Sequence, residues 1–109
     1  MATIAEMEQH KAALQQVVEL GDMALRLFSN HDFNRLIMQE FCVKEAARYV
    51  QSSCDPALGA NERADSLALA QASGHLKRWM SVTTQMSHQA RADIADVDEQ
   101  LEYMRSEEV

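Results

Sequence analysis

Ser52-Ser53-Cys54-Asp55-Pro56-Ala57-Leu58-Gly59 holds the one proline of the chain and is its only stretch dense in turn-forming residues. Beyond it, from Asn61 to Arg105, no Pro occurs and Gly74 is the only Gly. The sequence therefore predicts a loop over 53–60 and then one long helix over 61–105, about 65 Å at ~1.5 Å per residue. Asn61 is placed to cap that helix and Glu62 to sit in its first turn. Its apolar stripe reads Leu69, Ala72, Leu76, Trp79, Thr83, Met86, Ala90, Ile94, Val97, Leu101 and Met104. A spacing near 3.5 suits packing along a neighbouring helix.

Two shorter helices precede the loop. Over 3–29, Ile4, Met7, Leu14, Val18, Leu25 and Phe28 form a coiled-coil-like seam in which Lys11 and Gly21 are the weak positions. Ser29 and Asn30 break it. Asn30 caps a second helix over 31–52, with Asp32 in its first turn and Phe33, Leu36, Ile37, Phe41, Ala47 and Val50 along its length. A hairpin at the loop lays this helix against the first half of the long one, packed through Phe33, Ile37, Phe41, Leu76 and Trp79. The first helix then either folds back to complete a three-helix bundle or runs on and pairs with residues 83–105. Either way the expected fold is all-α: a helical hairpin or three-helix bundle with coiled-coil-like packing, as a single domain over 1–109.

Composition supports this class. The 109 residues include three Gly and one Pro, so the vocabulary is that of helices and the length suits one modest core. The formal charge of −7 speaks against a nucleic-acid binder, which needs clustered Lys and Arg. Charge is uneven: residues 83–109 hold seven acids against Arg91 and Arg105. No apolar run approaches the ~20 residues that span a bilayer, and Met1–His10 carries two Glu where a signal peptide needs positive charge. A cytosolic protein with reduced Cys42 and Cys54 and no membrane partner is the expectation.

Residues with catalytic potential form no pattern. His10, His31, His75 and His88 share no i, i+4 pair and none stands at a metal-ligand spacing from Cys or acid. Asp96, Asp98, Glu99 and Glu102 fit a solvated helix face better than an acid/base set. Nothing marks a phosphate loop or an activated nucleophile. No catalytic residue, cofactor or metal is therefore expected. Arg48, Lys77 and Arg78 fall near the aromatic residues of the hairpin and read either as a cationic rim for an acidic partner or nucleotide, or as surface charge on snorkelling stems.

Leu27-Phe28-Ser29-Asn30-His31-Asp32-Phe33-Asn34-Arg35-Leu36-Ile37, then Glu45-Ala46-Ala47-Arg48-Tyr49-Val50 and the Asp55-Pro56-Ala57 loop, resemble small helical proteins of tailed bacteriophages. The matching positions are caps and core, so the resemblance transfers a scaffold and no active site. It implies a minor virion structural component or particle assembly factor, located in the host cytoplasm or incorporated into the virion. The alternative is an early phage regulator or anti-defence protein that binds a host protein or sequesters a small ligand. Val17, Leu20, Met23, Leu27 and Met80 widen the apolar stripes beyond what one partner helix covers. With Met86, Ile94 and Leu101 they form the candidate interaction surface, for a second copy of the chain and for other phage proteins.

Overall fold

The computed structural model describes residues 2–108. The fold is all-α, with the last helix by far the longest and no strand among the described residues. Helix α1 covers Ile4–Phe28. A second helical stretch comprises α2 (His31–Phe33), a π-helical segment (Asn34–Glu45) and α3 (Ala46–Ser53); α4 covers Ala60–Glu107.

Local sequence explains each boundary. Thr3 opens α1 with a reciprocal capping box: its Oγ1 accepts from Glu6 N–H at 3.1 Å, and the Glu6 carboxylate accepts from Thr3 N–H at 3.4 Å. At the other end Ser29 and Asn30 donate back to the Arg26 and Leu27 carbonyls, closing α1. The Asn30 side chain caps α2 by accepting from Phe33 N–H at 2.8 Å, and Asn34 Nδ2 donates to the Phe28 carbonyl. Phe28 and Phe33 meet edge to face across this turn, 6.5 Å between centroids.

In the hairpin loop the Asp55 carboxylate accepts from Ala57 N–H at 2.9 Å, an Asx turn that Pro56 stiffens. Helix α4 starts at Ala60, with the Gly59 carbonyl accepting from Arg63 N–H. The expected cap Asn61 is thus already inside the helix, because Gly59 takes the capping position without steric cost.

The chain divides into two compact units: Met1–Leu25 with Val82–Val109, and Arg26–Ser81. In the first, α1 runs antiparallel to the later part of α4. The partners count upward on one helix and downward on the other: Glu8 with Arg105, Lys11 with Asp98, Asp22 with Arg91. Of the two arrangements open for the first helix, the chain adopts the pairing with the C-terminal part of the long helix. Met7, Val97 and Leu101 form its buried core, with Ile4, Leu14 and Met104 packed against them.

The second unit contains the helical stretch from His31, the hairpin loop and the start of α4, with α3 against α4. Ser73 and Met80 are buried in it, and Phe33, Ile37, Tyr49 and Leu76 are half-buried. Trp79, expected in this core, is 62% exposed, and Phe41 is 38% exposed. The reason is rotational. Burial along the early part of α4 follows Ser66, Ala70, Ser73, Leu76 and Met80, one residue on from the large apolar residues Leu69, Ala72 and Trp79.

Candidate functional site

Around Gly21 the two helices of the first unit come unusually close. A Cβ built on Gly21 would lie 2.1 Å from Ser87 Cβ and 2.1 Å from Ser87 Oγ. Ala24 and Ala90 are buried in the same unit, and Ser87 satisfies its hydroxyl by donating to the Thr84 carbonyl. Position 21, which hydropathy marks as a gap in the seam, is therefore a point of close backbone approach. Small side chains let the backbones approach until only Gly fits.

The two flanks of this helix pair differ. Helical register places Glu8 and Asp22 on one side of the α1 seam, where Arg105 and Arg91 meet them. Val17, Leu20, Ala24 and Leu27 fall on the other side of that seam. Leu20 and Met86 are 51% and 54% exposed. Met23, farther round α1, is also exposed, and Val17 and Ile94 are half-buried.

Two members of the expected interaction surface are corrected by this packing. Leu101 is 2% exposed and Met80 4%, so both are interior side chains of the monomer. Each sits at a seam position of α4 and is covered by packing within the chain. Of the expected surface residues, Leu20, Met23, Leu27 and Met86 are exposed.

At the far end of the first unit, Met7, Tyr103 and Met104 line an open groove of about 650 Å³ together with Ala2 and Gln100. Asp96 and Glu99 stand on its rim. Residues 96, 99, 100 and 103 share a helix face by their i, i+3, i+4 and i+7 spacing, and Tyr103 is 65% exposed on it. Neither Asp96 nor Glu99 forms an ion pair among the described residues. Sequence reasoning treated these acids as a solvated face; the signal it passed over was Tyr103 recurring on that face beside Met104.

In the second unit the charges are more nearly balanced and partly paired. Glu45 binds Arg48, whose guanidinium lies 5.8 Å from the Tyr49 ring centroid. Glu40 accepts from Lys44 Nζ at 2.9 Å and pairs with Arg35 Nε at 3.4 Å. The hydrogen bond from Lys44 is the main reason the Glu40 carboxyl titrates below its ordinary 4.5; desolvation opposes it, and the Lys44 charge and the Arg35 hydrogen bond and charge add to the lowering. Lys77 and Arg78 are exposed beside Trp79, and among the described residues neither forms an ion pair.

Among the described residues no three His, Cys, Asp or Glu side chains cluster to hold a metal, and no helix is long and apolar enough to cross a membrane. Cys42 is half-buried and Cys54 exposed, both as free thiols. No family model, curated protein or solved structure matches this chain.

Proposed function

We propose that this chain is a non-enzymatic protein–protein interaction protein, acting as a minor structural component or assembly factor of a tailed-bacteriophage particle. The observation that carries the interaction reading is the apolar flank of the first unit, where Leu20, Met23 and Met86 stand exposed beside the Gly21–Ser87 contact while ion pairs occupy the opposite flank. Contiguous exposed apolar side chains on a small domain mark surfaces that other chains cover. The phage assignment rests on the Leu27–Ile37, Glu45–Val50 and Asp55–Ala57 resemblance. In this reading the partners are protein chains, with neither nucleic acid nor membrane among them.

Mass spectrometry of purified particles tests the assignment. Peptides of this chain at stoichiometry in virions or in assembly intermediates are the expected result. Their absence from both overturns the particle reading.

A further inference from the structure

We infer that copies of this chain dock head to tail: Trp79 of one copy seats in the groove between Met7, Tyr103 and Met104 of the next, while Lys77 and Arg78 of the same helical turn supply the positive charge around the contact. This rests on the reading of the chain as a protein–protein interaction protein and names its first partner as itself. Three observations converge on it.

The first is chemical complementarity. The groove offers apolar side chains, an exposed Tyr ring and the carboxylates of Asp96 and Glu99, which form no ion pair among the described residues. The early part of α4 offers a large exposed aromatic and two exposed cations that form no ion pair among the described residues. An exposed indole on a helical turn that carries positive charge is the shape and charge that an apolar groove lined with acids selects.

The second is the charge division between the units. Eleven acids and three bases give the first unit a formal −8, while six acids and seven bases give the second +1, which together make the −7 of the chain. Like units of two copies repel where both are acidic; unlike units do not. A contact that joins the first unit of one copy to the second unit of another is the pairing this distribution favours.

The third is the identity of the exposed residue. Tryptophan is the residue most enriched among side chains that dominate binding energy, and it is normally well buried in a monomer. Here it is 62% exposed on a face that also carries Arg78. Because donor surface and groove differ, the contact is heterologous, and repetition closes into a ring or extends as a chain.

The test uses charge reversal at exposed positions that make no ion pair, followed by light scattering and sedimentation at low salt. Wild-type protein is expected to grow in mass with concentration. Lys77→Glu/Arg78→Glu alone and Asp96→Lys/Glu99→Lys alone are each expected to stay monomeric, with circular dichroism showing retained helix. An equimolar mixture of the two restores assembly, because every reversed surface then faces its opposite. Trp79→Ala weakens association about tenfold or more, and salt weakens the wild-type contact.

Wild-type assembly that neither reversal disturbs would overturn the head-to-tail contact while leaving a self-binding protein that uses another surface, such as Leu20 and Met86. A wild-type chain that stays monomeric at high concentration and low salt would overturn self-docking outright, and the particle reading would still be judged separately by virion mass spectrometry.

Discussion

Gly21 does its work by having no side chain. Its neighbour across the helix pair leaves a Cβ only 2.1 Å, so Gly21→Ala must push α1 and α4 apart or displace Ser87. Overpacking of this kind costs ~1–3 kcal/mol, from which the better helix propensity of Ala returns about 1, so a net loss of up to about 2 kcal/mol is expected in urea unfolding. Ser87→Gly in the same chain removes the obstructing Cβ and Oγ. In that background Gly21→Ala should be neutral or stabilising, a reversal of sign that a double-mutant cycle reads directly. Equal losses in both backgrounds would place the cost elsewhere. Trp79 supplies the contrasting case. A buried indole truncated to Ala costs ~3–5 kcal/mol, whereas an exposed one stays within about 0.5 kcal/mol. At 62% exposure, Trp79→Ala is expected to cost far less monomer stability than the buried case, as thermal melts at high dilution would show.

At the scale of elements, the long π-helical segment is what sequence alone had no means to foresee. Asn34–Glu45 carries ordinary helix formers, and its apolar residues suit either winding. The wide turn shows in the Ala46 N–H, which reaches the Phe41 carbonyl five residues back, and in the Arg35–Glu40 pair, which spans five residues as well. Glu40 holds both Arg35 and Lys44, and its folded-state titration is shifted downward by that company. A depressed carboxylate contributes stability that is fully present above its unfolded value and lost as pH falls through the folded one. Glu40→Gln should therefore lower the melting temperature at pH 7 and lose that difference progressively below the ordinary value of 4.5. A difference that stayed constant down to pH 3 would contradict the assignment.

The all-α class, the two shorter helices and the long third one, and the Asn30 cap were legible because they depend on local chemistry: scarce Gly and Pro, a turn cluster and a capping side chain. The face of α4 was only half legible. From Ala90 onward the expected stripe is the buried one, whereas before it the expected Leu69, Ala72, Trp79 and Met86 give way to Ala70, Ser73, Met80 and Ser87. Hydropathy weights size, and a seam built on close backbone approach selects smallness. The heptad spacing of Ser73, Met80 and Ser87 along α4, and in the first unit the pairing of Ser87 with Gly21, were the signal that size concealed. The candidate surface suffered from the same bias, since Met80 and Leu101 proved interior and the groove beside Tyr103 was passed over as mere charge.

For the molecule as a whole, charge ties stability to assembly with opposite signs. The first unit carries eleven acids, of which Glu8, Asp22 and Asp98 are held by its three bases, so eight remain without an ion pair among the described residues. Exposed pairs such as these contribute roughly 0–1 kcal/mol each, and salt weakens them. The unpaired acids repel one another along the same helices, and screening over ~10 Å at 0.1 M relieves that repulsion. With eight repelling carboxylates against three modest attractions, relief dominates. The Trp79→Ala chain, which keeps the native charge and has lost its docking aromatic, should therefore melt higher as sodium chloride rises from about 10 mM to several tenths molar. Wild-type assembly over the same range should shrink, since the Lys77 and Arg78 contact with Asp96 and Glu99 is screened by the same ions. Following melting temperature and scattering mass together in one salt series separates the two effects. A melting temperature that fell with salt would mean that the three ion pairs outweigh the repulsion, and an assembly that grew with salt would mean that apolar burial, through Leu20 and Met86, joins the copies instead.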